Sequence, residues 1–148
     1  MTFVPKLRSV PRVASLITAG GSNERARLQD ALDNLKSQVP VQVPLTIGSQ
    51  EVSGNLDKSQ ANPSDHASVI ANYSEASAEQ VNQAIERALE AKPAGENMAF
   101  TNRAAIFLRA AELVAAKYRY DIMAATMLGQ DKNIWQAEID AAAKTADF

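Results

Sequence analysis

Apolar residues recur at helical spacing along most of this chain and predict five helices. The first is expected from about Asn23 to Gln38, because Ser22 can cap its N-terminus and Pro40 stops it. Its apolar stripe consists of Leu28, Ala31, Leu32 and Leu35. A helix with one such stripe rests one face on a core and leaves the other in solvent.

The second predicted helix opens at a capping box. Ser77 can accept a hydrogen bond from the backbone of residue 80, and Gln80 can reach back to the N-cap. The apolar face of this helix consists of Val81, Ala84, Ile85, Ala88 and Leu89. We expect the helix to end before Pro93, with 93–97 as a connection, because a residue before proline disfavours helical geometry.

Three further helices are predicted towards the C-terminus. The first, over about 102–116, is apolar round most of its circumference, which indicates burial on several sides. The next runs from about Tyr120 to Leu128, with Gly129 as its C-cap. The last begins near Asn133 and reaches the end of the chain without a stop signal, so we expect a chain cut within an element.

A change to alternating apolar residues, followed by a turn signal, predicts a β-hairpin over 41–52 with its turn at 48–50. The alternating residues are Val43, Leu45 and Ile47. A second strand is expected from His66 to Tyr73, with the polar stretch 53–63 as a loop. The predicted fold class is α+β and mostly helical, with N-terminal helices beside a small hairpin or antiparallel sheet.

The composition suits a globular chain but limits its core. Apolar residues make up 46% of the 148 residues, yet 27 residues are alanine, which favours helix and buries little surface. Aromatic residues contribute only 5%. We therefore expect a helical chain whose larger apolar faces need a partner surface, and which alone is marginally stable or self-associates.

Charge, hydropathy and cysteine content exclude several functions. The net charge of −2 gives no attraction to nucleic-acid phosphates. No run of 18 apolar residues is present, so no membrane-spanning segment is predicted. The chain has no cysteine, which excludes a disulfide framework, a thiolate metal site and a thiolate nucleophile.

Residues 1–21 are predicted to be a basic, irregular arm, and 22–148 the folded part. The arm holds three basic residues and no acid, which is typical of a mitochondrial transit peptide. Pro5 and Pro11 interrupt any amphipathic helix there, which favours an ordinary arm instead. These residues alone leave both interpretations open.

Few side chains suggest chemistry. His66, the only histidine, stands beside Asp65, but adjacent residues on a strand point to opposite faces and would not pair as acid and base. Asp131, Glu138 and Asp140 are not expected to converge as metal ligands, because 138 and 140 face different ways on a helix; a solvated face is expected. The sequence therefore assigns no catalytic, cofactor-binding or metal-binding residue.

Two features near the C-terminus have structural interpretations. The stretch 129–132 lacks the glycine spacing and trailing Ser or Thr of a phosphate loop, and no dinucleotide-binding fingerprint is present elsewhere. Trp135 is expected to be a packing anchor on the last helix rather than a binding platform.

Four stretches of the chain carry a resemblance at matched spacing. They are Gly21-Ser22-x-Glu24-Arg25, Val43-Pro44-Leu45, the run from Asn102 to Ala111 and, most specifically, the run from Met127 to Ala143. They resemble the N-terminal region of the 1-pyrroline-5-carboxylate dehydrogenases, in the aldehyde dehydrogenase superfamily, and look most like the fungal members. The likeness extends from about Lys6 to Phe148.

The resemblance implies an incomplete fold. These enzymes oxidise glutamate semialdehyde to glutamate with NAD, in proline catabolism, and their catalytic cysteine, general base and cofactor contacts come later in the family's chain. It therefore implies that this chain is truncated before the catalytic domain, holds no NAD by itself and is inert alone. It also favours a mitochondrial location over a cytoplasmic one.

Three positions depart from the family's pattern. Gly95 stands where the family usually has Trp, Asp131 where it has Gly in Gly-Gln-Gly-Lys, and Lys144 where it has a Glu near the substrate pocket. Together they suggest relaxed constraint in a truncated or decaying copy, and a mis-predicted gene model is the alternative.

Two functions follow as hypotheses. In the first, the chain works only with the missing remainder of a dehydrogenase. In the alternative, it is a short helical module that docks on a full-length dehydrogenase through the apolar stripes 81–89 and 134–139. Neither nucleic acid nor a membrane is expected as a partner.

Overall fold

The computed structural model describes residues 20–52 and 57–147; most of the basic arm, part of the predicted loop and Phe148 lie outside the described residues. The helices are α1 (Asn23–Gln38), α2 (Ala78–Asn97), α3 (Phe100–Ala115), α4 (Arg119–Gln130), α5 (Ile134–Ala137) and α6 (Lys144–Asp147), with a π-helical segment (Glu138–Ala143) between the last two. The strands are β1 (Val41–Val43), β2 (Leu45–Ile47), β3 (Gln50–Val52), β4 (Lys58–Asn62) and β5 (Asp65–Tyr73). The α+β, mostly helical fold class is confirmed.

The core lies where α1, α4 and the C-terminal helix meet; the C-terminal helix is α5, the π-helical segment and α6 taken together. Its buried cluster consists of Leu28, Met123, Ala137 and Ala142, flanked by the partly buried Leu32, Tyr120, Met127 and Ile134. The predicted bounds of α1 are confirmed, and the Ser22 hydroxyl caps it by accepting the N–H of Arg25 at 3.3 Å. A core with so few large side chains agrees with the alanine-rich composition.

The β-structure is divided into two small sheets. One has the order β1–β5–β4, with β1 parallel and β4 antiparallel to β5. The other is the β2–β3 hairpin, whose turn residues Gly48 and Ser49 both have positive φ. Only part of the predicted hairpin is therefore correct, because β1 leaves it to pair with β5. The predicted loop at 53–63 is wrong at Lys58–Asn62, where β4 forms a mostly exposed edge strand that tolerates polar residues.

Helix α2 begins at the predicted capping box but continues through Pro93 to Asn97, so its predicted end is wrong. The fixed φ of proline is compatible with a helix, but Pro93 removes one i→i−4 hydrogen bond and its ring crowds the carbonyl group four residues earlier, at a cost of about 3 kcal/mol. Lys92 and Glu96 form an i,i+4 ion pair at 3.5 Å across the proline. The Arg103 guanidinium also donates to the carbonyl oxygen of Gly95, at 3.4 Å, in the last turn of α2.

Helix α3 is not buried on several sides within the described part of the chain, so that prediction is wrong there. A partly buried face, formed by Ala104, Leu108, Ala111 and Ala115, points towards the C-terminal helix. Ile106 and Phe107 stay exposed, Phe107 at 75% of its surface. The apolar residues outside the partly buried face, such as Ile106 and Phe107, are therefore not covered by the described residues.

Helix α4 extends to Gln130, past the predicted cap. Gly129 lies inside the helix beside Ile70 of β5, and Asp131 adopts the left-handed cap conformation at φ 53°. The C-terminal helix starts as predicted, because Asn133 and Gln136 form a reciprocal capping box with both hydrogen bonds at 3.0 Å.

Candidate functional site

Among the described residues, a buried ion pair joins α4 to the C-terminal helix. Arg119 is the first residue of α4, Glu138 is the first of the π-helical segment, and they are 3% and 2% exposed. Their guanidinium and carboxylate groups are in contact, and Arg119 Nη1 also donates to the carbonyl oxygen of Ala115 at 3.4 Å. Burial lowers the pKa of Arg119 below its ordinary value, although arginine remains charged. The pair holds the start of α4 against the C-terminal helix.

The interpretation of Glu138 as part of a solvated face is wrong. Glu138 lies three and four residues before Ala141 and Ala142, so it shares their buried side of the helix. The spacing of Glu138 from Ala141 and Ala142 could therefore have indicated from the sequence that Glu138 is buried. Arg119 gave no such signal, because the apolar pattern of α4 begins only at the next residue.

Asp140 lies between two lysines. Lys132, from the connection before the C-terminal helix, donates to Asp140 Oδ2 at 2.8 Å, and Lys144 donates to Oδ1 at 2.8 Å. These two hydrogen bonds lower the pKa of Asp140 to about 2. The bond from Lys132 has the largest effect, and the bond from Lys144 the next largest. The carboxylate keeps a third of its surface exposed. The cluster is thus a charged clasp at the edge of the π-helical segment.

Asp131 ties the β4–β5 turn to the end of α4. Its carboxylate accepts a hydrogen bond from the hydroxyl of Ser64, which lies in that turn. Asp131 and Ser64 are both exposed. The side chain of Asp131 therefore makes a tertiary contact that a glycine at this position could not make.

Asp65 and His66 do not act as a pair in this structure. The Asp65 carboxylate accepts from the Ser68 hydroxyl at 2.5 Å and from the Ala67 N–H at 3.3 Å, while His66 is exposed. Across residues 20–52 and 57–147, no three His, Asp or Glu side chains are grouped so as to hold a metal ion. Within the same ranges, no helix is both long and apolar enough to cross a membrane.

A shallow groove of about 350 Å³ lies between α1 and the start of α4. Its lining consists of Arg27, Asp30, Ala31, Asn34, Lys117, Tyr120 and Asp121. The Arg27 guanidinium stacks over the Tyr120 ring, 4.9 Å from its centroid. Two cations and two carboxylates offset each other in this open groove, so it has no net charge with which to select an ion.

Trp135 is not the packing anchor that the sequence predicts, because it is 48% exposed. Its neighbour Ile134 packs against the core instead. Ile139, one helical turn further on, is also exposed. Among the described residues, α2, α3 and the C-terminal helix therefore all carry exposed large apolar side chains.

The apolar pattern of α3 and of the C-terminal helix falls in a region that matches a known family. The sequence model of the aldehyde dehydrogenase family matches residues 52–148, more than half of the chain. The chain belongs to the aldehyde dehydrogenase family. The family resemblance seen in the sequence motifs is therefore confirmed.

Two curated relatives carry the same enzyme name. The Delta-1-pyrroline-5-carboxylate dehydrogenase of Agaricus bisporus is 52% identical over 143 residues, which cover 97% of this chain and 26% of that protein. The mitochondrial enzyme of that name from Emericella nidulans is 49% identical over 130 residues, covering 88% of this chain and 23% of its own length. The chain thus spans only about a quarter of the length of these relatives.

Solved aldehyde dehydrogenase structures carry the same fold. The Delta-pyrroline-5-carboxylate dehydrogenase from Mycobacterium tuberculosis has a TM-score of 0.85 and 35% identity, over 99% of this chain and 26% of that chain. The same enzyme has also been solved with bound NAD. The described helices and sheets therefore match the N-terminal part of an aldehyde dehydrogenase.

The polar clusters fit a structural role within this aldehyde dehydrogenase region. Arg119 and Glu138 occupy each other inside the core, and Asp140 is occupied by its two lysines. No thiol exists in the chain to attack an aldehyde. What the geometry offers is a folded scaffold with uncovered apolar helices.

Proposed function

We propose that this chain serves as the N-terminal part of an NAD-dependent 1-pyrroline-5-carboxylate dehydrogenase and is inert without the rest of that enzyme. The observation that carries the proposal is the 52% identity across 97% of this chain but only 26% of the relative. The chain contributes packing surface, while the nucleophilic cysteine and the NAD site are contributed by the remainder. The reaction is oxidation of glutamate semialdehyde to glutamate, through an acyl-enzyme that water hydrolyses.

A chimaera tests this proposal. The chain replaces the matching 143-residue segment of the Agaricus bisporus relative, and NADH formation is measured with 1-pyrroline-5-carboxylate. The chimaera should be active, and the 148-residue chain alone should form no NADH and show no heat of NAD binding. A chimaera that folds like its parent but stays inactive overturns the proposal, as does turnover by the chain alone.

The native length is tested by intact mass. Polypeptide captured from its source with an antibody to residues 77–91 should be several times heavier than 15.9 kDa if the chain works within a whole dehydrogenase. A mass near 15.9 kDa removes the enzyme proposal for the native product and favours a truncated copy.

We also propose a mitochondrial location. Relatives from Emericella nidulans, Dictyostelium discoideum and human are named mitochondrial, and residues 1–21 carry the basic, acid-free composition of a transit peptide. A fusion of residues 1–21 to a fluorescent protein should enter mitochondria, and a version with all three basic residues changed to Gln should not. Cytoplasmic fluorescence of the unchanged fusion supports the alternative.

A second candidate function is a helical module that docks on a full-length dehydrogenase. The uncovered apolar residues of α2 and of the C-terminal helix favour it. The purified chain should then co-elute with full-length enzyme at micromolar concentration, and Ile85→Asp should abolish the complex. Separate elution under these conditions counts against the module.

A further inference from the structure

We propose that the π-helical segment Glu138–Ala143 is a register element of the C-terminal helix, built by accommodating one residue more than an α-helix needs. The element keeps the start of the helix in phase with α4 while the end of the helix stays in phase with α3. It works within this chain, independently of any dehydrogenase activity.

The order of buried residues shows that the helix changes phase within this segment. Thr145 comes seven residues after Glu138, which is almost two full turns, so in a regular α-helix the two would share one side. Glu138 is 2% exposed, yet Thr145 is exposed and the next residue, Ala146, is 7% exposed. The buried side has therefore moved by one residue, as a one-residue bulge requires.

The backbone hydrogen bonds locate the wide turn. The N–H of Glu138 donates to the carbonyl oxygen of Ile134, four residues earlier, as in an α-helix. The N–H of Lys144 donates instead to the carbonyl oxygen of Ile139, five residues earlier. The extra residue is therefore accommodated between these two donors, before α6 begins.

Intrinsic preference does not explain this turn, because the three alanines 141–143 have the highest α-helix propensity of any residue. Contacts on both sides of the segment impose it. At its start, the capping box and the buried pair of Glu138 with Arg119 fix the helix against α4. At its end, α6, whose buried residue is Ala146, packs against α3. The two anchors are in phase only with an extra residue between them.

Deletion of Ala143 tests the register element. Ile139 then stands four residues before Lys144, so the same backbone hydrogen bond closes an ordinary α-helical turn and both anchors keep their phase. The Tm should stay within about 4 °C of that of the unchanged chain. An alanine inserted after Ala143 is the matched control: it puts the anchors out of phase and should lower the Tm by more than about 8 °C. In a regular α-helix the two changes rotate the helix end by equal and opposite angles, and both are damaging.

Two substitutions locate the buried side after the wide turn. Ala146→Asp places a carboxylate against α3 and should lower the Tm by more than about 4 °C. Thr145→Asp adds the same charge to the same helix end but leaves it in solvent, and it should lower the Tm by less than about 2 °C. A helix without the phase change gives the reverse order.

NMR detects the wide turn directly in the unchanged chain. The scalar coupling across the hydrogen bond of the Lys144 amide should reach the carbonyl carbon of Ile139. Coupling to the carbonyl carbon of Asp140 overturns the proposal, as do equal effects of the deletion and the insertion, or a larger effect of Thr145→Asp than of Ala146→Asp. An unchanged chain or a deletion variant without a cooperative transition also overturns it, because the anchors then do not hold the helix.

Discussion

Arg119 and Glu138 face each other across the junction between α4 and the C-terminal helix, and both side chains are almost completely buried. Each charged group is desolvated, and its charge is compensated chiefly by the charge of the other group. Such a pair adds little net stability compared with apolar side chains of similar size, but the loss of one partner leaves an uncompensated charge in the core. This asymmetry gives a test of the buried junction.

Glu138→Gln should lower the free energy of unfolding by about 3–5 kcal/mol, because the Arg119 charge stays buried without its partner. The double variant Arg119→Met with Glu138→Leu should recover most of that loss. Urea unfolding followed by circular dichroism measures both. The exposed pair Arg109–Glu112 is the control, and Glu112→Gln should change stability by less than about 1 kcal/mol. A single Glu138 variant as stable as the unchanged chain would show that the pair is not desolvated.

Asp140 should titrate with a pKa of about 2, well below its ordinary range, because two ammonium groups donate to its carboxylate. A depressed pKa in the folded state means that the clasp stabilises the fold above the unfolded pKa of about 3.9 and loses this contribution as pH falls towards 2. Carbon-detected NMR titration of the Asp140 carboxyl measures it. Lys132→Met should raise the pKa more than Lys144→Met, and Lys36→Met, a change in the distant α1, should leave it in place. Equal values in all four proteins would refute the clasp.

Local signals in the sequence predicted the helices well. The bounds of α1, the capping box of α2 and the start of the C-terminal helix follow from side chains that bond to their own helix end, so short stretches of sequence contain the whole cause. The same holds for the β2–β3 turn, where adjacent residues reverse the chain.

The predictions from the sequence failed where contacts between residues distant in the chain decide the structure. Strand β4 is polar because it lies at an edge, and β1 leaves the predicted hairpin because β5, about 30 residues further on, offers it a partner. The Arg119–Glu138 pair joins residues from two helices whose contact no local pattern shows. The apolar faces of α2 and α3 were recognised from their spacing, but the described residues leave much of both faces exposed.

Asp131→Ala should destabilise the chain by about 1–2 kcal/mol, because alanine is strained in the left-handed conformation at φ 53° and also loses the hydrogen bond from Ser64. Asp131→Gly should stay within about 0.5 kcal/mol of the unchanged chain, since glycine relieves the strain while losing the same bond. Thermal and urea unfolding compare the three proteins. If Ser64→Ala has no effect and Asp131→Gly is strongly stabilising, the contact with Ser64 contributes nothing.

Gly48→Ala should lower stability by about 1–2 kcal/mol, because its φ of 59° is strained for any residue with a Cβ. The new methyl group would also press on Cγ of Arg87 at 3.1 Å and loosen the hairpin from α2. Gly95→Ala is the matched control: it lies within α2 with no atom inside 4 Å of its new Cβ, and it should stabilise by about 0.5–1 kcal/mol through helix propensity. Urea unfolding of both variants measures whether each change raises or lowers the free energy of unfolding. A stabilising Gly48→Ala would mean that the hairpin turn does not adopt the left-handed geometry against α2.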